Sequence, residues 1–233
     1  MNIISQLWQD FTALLFPRLC LACEQPLLLE ENFVCLHCEL LLPKTDLHLR
    51  KQNHLTEKFS GRLPLETASA FFYFSKAGKA QHLIHQIKYN DKREAAISLG
   101  YQYGEILTEM PHFQAFDTLI PVPLHPRKQI YRGYNQAEMF AKGLSESMKI
   151  SMETKALVKV KMTDSQTRKS KFERLQNVED VYELTDPSVL KGKKVLIVDD
   201  VLTTGATIEA CALAILEKLP DIKLGFVTLA AAK

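Results

Sequence analysis

The chain has 233 residues, 46% of them hydrophobic and 24% charged, with a formal net charge of +2. These values rule out disorder as the default reading, and so small a charge excludes a uniformly basic nucleic-acid binder, leaving only local clusters for such a role. No run of 18 apolar residues occurs, so no membrane-spanning helix is expected. With no secretory leader in view, the expected compartment is the cytoplasm.

In chain order, Ile4, Leu7, Trp8, Phe11, Leu14 and Leu15 fit one face of a helix over residues 1–15. It is read as a packing helix, with binding to a membrane surface as the open alternative. Residues 17–45 are rich in Cys, Pro and Leu. Residues 46–64 are mostly polar and are expected to form a linker. From residue 65 onward, strand-like and helix-like segments alternate. Strands are expected over 68–74, 117–122, 156–160, 194–198 and 224–231. Helices are expected over 79–88, 94–109, 135–149 and 206–219. This alternation predicts an α/β domain with a mainly parallel sheet, covered by helices on both faces. The predicted organisation is a helix and small module over 1–45, a linker over 46–64 and the α/β domain over 65–233. Ligands of such sheets bind beyond the carboxyl ends of strands, which directs attention to the segments after Val122 and Val198.

Four of the five cysteines fall in two Cys-x-x-Cys pairs, Cys20/Cys23 and Cys35/Cys38, separated by eleven residues. Each pair makes a tight turn that can present two thiolates, and two turns complete a tetrahedral zinc site. A segment this short cannot bury enough surface to fold alone, whereas zinc supplies about 10–16 kcal/mol of apparent binding energy. Four protein ligands leave no open position, so the zinc is read as structural. The alternative is a set of reduced thiols in a small core, or redox chemistry. His37 is read as a surface residue and Cys211 as a core residue.

The run Val195 to Thr207 goes from an apolar strand to Asp199 and Asp200, then to Thr203, Thr204, Gly205, Ala206 and Thr207 at the start of a helix. The two carboxylates can accept hydrogen bonds from adjacent ribose hydroxyls. The small-residue loop offers hydroxyls and N–H groups at a helix N-terminus, an anion site, and Gly205 lets a phosphate approach the backbone. The bland alternative is a strand-terminal Asp followed by a Thr cap. Neither a Walker-type P-loop nor a Gly-x-Gly-x-x-Gly run is present.

These residues resemble the phosphoribosyl pyrophosphate (PRPP) signature of type I phosphoribosyltransferases. Pro121-Val122-Pro123-Leu124-His125-Pro126-Arg127-Lys128, then Arg132-Gly133-Tyr134-Asn135-Gln136-Ala137-Glu138, resembles the central motif of the ComF/GntX family. Ile87-Lys88-Tyr89 before Asp91-Lys92, Gln166-Thr167, Arg174, Asn177 and the four-cysteine module are similar to that family too. The resemblance implies a Rossmann-like type I phosphoribosyltransferase fold with an N-terminal zinc-ribbon-like module. It also implies PRPP bound with Mg²⁺, and a role in natural transformation or in the use of DNA as a nutrient, with single-stranded DNA and a helicase of the competence machinery as partners.

Arg127, Lys128 and Arg132 lie in a stretch without acidic residues and are assigned to the pyrophosphate, as Arg clamps phosphate oxygens and Lys acts as a point charge. The alternative is a solvated loop. Lys88 and Tyr89 are candidates for a second pyrophosphate contact. The basic stretch over 161–174 resembles the mobile lid of the superfamily; contact with DNA or a solvated hairpin are the other readings. Nothing in the final strand identifies an acceptor. Two functions stay open: a phosphoribosyltransferase with an unassigned acceptor, acting in DNA uptake or the use of DNA as a nutrient, or a non-catalytic PRPP-responsive protein that binds or docks single-stranded DNA.

Overall fold

The computed structural model describes residues 17–76, 78–160 and 181–232. The helix expected over 1–15 and the lid expected over 161–174, with Gln166, Thr167, Arg174 and Asn177, lie outside the described residues.

Five parallel strands form the main sheet in the order β1-β7-β6-β2-β3: β1 Leu65–Phe74, β2 Thr118–Pro121, β3 Ser151–Met152, β6 Lys194–Leu202 and β7 Lys223–Ala232. A separate antiparallel pair joins β4 Leu157–Lys159 to β5 Tyr182–Leu184. The helices are α1 Leu36–Leu41, α2 His54–Glu57, α3 Lys79–Tyr89, α4 Arg93–Thr108, α5 Pro111–Gln114, α6 Pro126–Arg132, α7 Gln136–Met148 and α8 Ala206–Lys218. This is the mainly parallel, helix-covered sheet expected from the alternating pattern.

The sheet is buried on both faces, which its near-continuous apolar strands require. In β6, Leu196 and Val198 face a core with Leu83 of α3, Tyr103 of α4 and Phe140 of α7. Val195 and Ile197 face the opposite core, with Phe59, Leu157, Tyr182 and Ile208. The period of two along the strand therefore assigns α3, α4 and α7 to one face, and α8 with the β4–β5 pair to the other.

Helices α4 and α7 cross at backbone contact. A Cβ at Gly143 would lie 2.0 Å from the Ile97 carbonyl, and one at Gly100 2.1 Å from that of Phe140. Both obstacles are backbone, which cannot swing aside. Gly143→Ala is therefore expected to cost about 3 kcal/mol or more, read as a lowered urea midpoint. An unchanged midpoint would contradict this packing.

Residues 46–64 are not the linker expected from their polarity. They form a 3₁₀ turn, Leu47–Leu49, then α2 and a closing turn, and they bury Leu47, Leu55, Phe59 and Leu63. Asn53 caps α2, and its side-chain amide donates to the Ala68 carbonyl of β1 at 2.8 Å. The apolar residues at 55, 59 and 63 lie four apart, a sparse stripe that is enough to anchor the segment on the sheet.

The cysteine module covers the outer edge of β1. Thr45 N–H donates to the Phe71 carbonyl, and Tyr73 N–H donates to the Pro43 carbonyl, so backbone groups exposed at a sheet edge find partners. Leu21 and Leu42 enter the same core as Phe71, Phe72, Leu83 and Ile84. Leu28, Leu29, Leu40 and Leu41 remain exposed.

Candidate functional site

Strand β6 leads through residues 203–205 into α8 on one face of the sheet, while β2 leads through α6 into α7 on the other face. Adjacent strands whose connections leave in opposite directions open a crevice at their carboxyl ends, the place where open α/β sheets bind ligands. The sequence reading ended β6 at Val198. The strand in fact continues to Leu202, with Asp199 paired to Thr228 and Val201 to Ala230 of β7. Both carboxylates therefore sit on rigid paired strand, not on a loop.

Asp199 and Asp200 keep intermediate exposure at the crevice. Asp199 Oδ1 accepts the Asp200 N–H at 2.8 Å. Burial on the protein side, followed by the Asp200 charge, pushes the Asp199 carboxyl up to about 7; that N–H, Lys88 and Lys159 pull it back. Lys88, in the last turn of α3, pairs with Asp200 Oδ2 at 2.9 Å.

The loop of residues 203–207 follows directly. Gly205, at φ +92°, caps α8, and Thr204 Oγ1 accepts the Ala206 N–H at 3.4 Å. A Cβ at Gly205 would meet the Phe59 ring at 2.5 Å, so both the left-handed backbone and the close approach demand glycine. Phe59 also packs edge-on against Phe226 at 5.5 Å. Lys58 Nζ donates to the Thr203 carbonyl at 2.5 Å, and Arg62 pairs with Glu209 of α8. The 46–64 segment thus buttresses the loop, a part that sequence reading assigned to a spacer. Its available signal was the 55/59/63 stripe with Lys58 and Arg62 interleaved. Thr203 and Thr207 flank the loop, and Thr203, Thr204, Ala206 and Thr207 are all exposed.

The stretch expected as a basic loop is helix α6. Pro126 occupies its first turn, the His125 side chain accepts the Arg127 N–H, and Gly133 closes it at φ +77°. The sequence carried these start and stop signals. Arg132 lies over the Tyr89 ring at 5.6 Å, and its guanidinium donates to Gln136 Oε1 at 3.1 Å. The structure thereby joins Arg132 and Tyr89 next to Lys88. Lys128 lies within electrostatic reach of Lys159. Arg127 is exposed, and among the described residues no contact joins its side chain to this cluster.

In the N-terminal module, the four cysteine sulfurs lie within 4.8 Å of one another, with Cys23 Sγ 3.7 Å from Cys35 Sγ. Tetrahedral zinc at about 2.3 Å from each sulfur separates sulfurs by about 3.8 Å, whereas a disulfide needs about 2.05 Å. The cysteines are free. Cys20 Sγ accepts N–H bonds from Ala22 at 3.4 Å and Cys35 at 3.3 Å. Burial pushes the Cys20 thiol up, yet the N–H donors of Cys35, Ala22 and Cys23 bring it down to about 7, and burial pushes Cys38 well up. Donors aimed at sulfur support a thiolate. The set fits a structural metal such as zinc. His37 is exposed and Cys211 is fully buried.

The family model described as a phosphoribosyl transferase domain matches residues 135–233. The DNA utilization protein YhgH of Shigella flexneri is 30% identical over 209 residues, covering 84% of this chain and 89% of that protein. The chain belongs to the ComF family. Competence protein F of Haemophilus influenzae is 36% identical to this ComF-family chain over 93 residues, covering 40% of the chain and 41% of that protein. Competence protein ComFC of Bacillus subtilis is 32% identical over 100 residues, covering 43% and 38%. Among the described residues of the ComF-family chain, no helix is long and apolar enough to cross a membrane.

Proposed function

We propose that the crevice between β6 and β2 binds PRPP, and that this binding serves DNA uptake or the use of DNA as a nutrient, in the cytoplasm. The observation that carries the reading is the pair Asp199–Asp200 on rigid strand, next to the α8 N-terminus, with Lys88 already 2.9 Å from Asp200. The carboxylates accept the two ribose hydroxyls. The loop of Thr203, Thr204, Gly205, Ala206 and Thr207 holds the 5′-phosphate. Lys88, Lys128 and Arg132 meet the pyrophosphate, Tyr89 backs Arg132, and Arg127 adds its charge from the rim. Mg²⁺ arrives on the pyrophosphate and ribose hydroxyls, keeping few protein ligands; Asp200, engaged by Lys88, leaves little for a dedicated protein cage.

As a phosphoribosyltransferase, the protein would break the bond between ribose C1 and the pyrophosphate oxygen. The electron pair leaves with pyrophosphate, a nitrogen acceptor bonds to C1, and its proton passes to solvent. The basic groups stabilise the leaving group, and the aspartates fix the ribose. Pyrophosphate release that depends on an added acceptor tests turnover.

A second reading rests on α6, which buries none of its residues and leaves Ile130 83% and Tyr131 82% exposed beside Arg127. An exposed aromatic among cations suits a single strand, and a PRPP-responsive DNA-binding protein docked to a helicase would use such a face. Salt-sensitive single-strand binding without pyrophosphate release favours it.

Ribose hydroxyls donate to an ionised carboxylate, whereas Asp199 titrates near 7 in the free protein. Binding below that pH must expel a proton. PRPP affinity is therefore expected to fall up to about tenfold per pH unit below 7 and to level off above it. Calorimetry across pH 5.5–8.5 reads this, with Asp199→Asn as the control that removes the Asp199 part of the slope. An identical slope in both proteins would assign the dependence to the ligand's own phosphates.

A further inference from the structure

Helix α3 joins the first cysteine turn to the crevice. Glu24 directly follows Cys23 and closes the turn, its N–H donating to the Cys20 carbonyl at 2.8 Å. It does so at φ +61°, a left-handed backbone that glycine adopts without strain and other residues rarely enter. What the glutamate adds there is a carboxylate directed at α3. Its Oε1 lies 3.1 Å from His82 Nε2 and accepts from the Gln86 amide at 3.4 Å, so one side chain spans two successive turns of the helix. Gln86 Oε1 in turn accepts from the Asn90 side-chain amide. The Asn90 N–H, which caps the end of α3, donates to the Gln86 carbonyl at 3.0 Å. Lys88 lies between these two residues, its ammonium 2.9 Å from Asp200.

Two further contacts hold the same helix. Leu83, Ile84 and Ile87 share one core with Cys20, Leu21 and Ala22 of the turn, and the buried Tyr134 hydroxyl, just before α7, donates to the Ile87 carbonyl. Apolar burial fixes where α3 lies but is non-directional. The row Glu24, His82, Gln86, Asn90 supplies directed contacts along one edge of the helix. One turn of helix is about 5.4 Å, so sliding α3 by a fraction of a turn carries Lys88 out of hydrogen-bond reach of Asp200.

We propose that Glu24 is a positioning residue of the crevice: from the cysteine turn, through His82, Gln86 and Asn90, it sets the last turn of α3 so that Lys88 meets Asp200, and it thereby couples metal held by the cysteines to a ligand held by the aspartates. The role rests on the PRPP reading only for the identity of that ligand. Such coupling is reciprocal. Metal in the cysteine site tightens the ligand, and the ligand tightens the metal by the same factor.

The test compares full-length, zinc-loaded wild type, Glu24→Ala and Glu24→Gln, which keeps an acceptor for the Gln86 amide. The first readout needs no ligand. Hydrogen exchange at the Tyr89 and Asn90 amides is expected to quicken about two- to fivefold in Glu24→Ala, the worth of an exposed pair, since the Glu24 side chain is 61% exposed. Glu24→Gln is expected to exchange like wild type. The second readout is affinity for Mg²⁺·PRPP at pH 8, expected to weaken by the same factor in Glu24→Ala and to return in Glu24→Gln. The third is zinc affinity, by competition with a chromogenic chelator: saturating PRPP is expected to raise it in wild type and not in Glu24→Ala. Wild-type exchange and wild-type PRPP affinity in Glu24→Ala would overturn the proposal, as would zinc affinity indifferent to PRPP in a wild type that binds PRPP. If Glu24→Ala fails to fold or to hold zinc, Gln86→Ala on α3 takes its place with the same expectations. Faster exchange in Glu24→Ala with no PRPP binding by wild type would sink the PRPP reading and leave the Glu24 role standing.

Discussion

Substituting Cys38 by Ser is expected to abolish bound metal and unfold the N-terminal module. Cys38 is fully buried, and a hydroxyl in its place neither ligates zinc well nor finds a partner among the remaining sulfurs. Zinc held by the four cysteines would contribute about 10–16 kcal/mol of apparent binding energy, more than a module of this size can replace with apolar burial. The loss should spread. Leu21, Leu42, Cys20 and Cys38 share one core with Phe71, Phe72 and Leu83, so β1 and α3 lose packing as well. Hydrogen exchange reads the effect locally: the N–H groups of Ala22 and Cys35, which donate to Cys20 sulfur, should lose protection in Cys38→Ser and in chelator-treated wild type. Because the ligands bind as thiolates, zinc affinity should fall as pH falls. Unchanged protection and melting after complete metal removal would show a core of reduced thiols instead.

The second large effect concerns the carboxylates. Asp200→Asn leaves the Lys88 ammonium, 2.9 Å away, facing a neutral amide, and Asp199→Asn removes the other acceptor. A hydrogen bond to a charged group is worth about 1.5–3 kcal/mol, so each substitution should weaken PRPP about 10- to 100-fold and the double substitution should abolish measurable binding. Stability should move in the opposite direction. The folded protein raises the Asp199 carboxyl from 3.8 to about 7; ionised Asp199 therefore opposes folding, with a cost that begins above the unfolded value, grows towards pH 7 and is constant beyond. Asp199→Asn should raise the melting temperature of the free protein at pH 8 and lose that advantage near pH 4. A variant that lost binding and stability together would mark Asp199 as a structural residue.

Much of this site could be read in the residue order because each part announces itself locally. The Val195–Val198 run, the adjacent aspartates and the Thr-Thr-Gly-Ala-Thr loop each constrain the backbone within a few positions, and the Cys-x-x-Cys pairs fix their own turns. The helices α3, α4, α7 and α8 were legible from their periodicity, to within two residues at either end. What escaped is non-local. Lys58 and Phe59 support the 203–207 loop across 145 residues of chain, as the Lys58–Thr203 bond shows. Their segment is polar enough to pass for a spacer. Helix α6 was hidden by its own composition: with no apolar stripe facing a core, only the Pro126 and Gly133 signals marked it. The end of β6 was misplaced because carboxylates look like the end of a strand, whereas the partner β7 runs on beside them.

The most direct measurement is calorimetric titration of Mg²⁺·PRPP into zinc-loaded wild-type protein at pH 8, with pyrophosphate followed in the same samples. Saturable binding that is lost in Asp199→Asn/Asp200→Asn is the expected result, and no binding by well-folded wild type would contradict a PRPP site at Asp199 and Asp200.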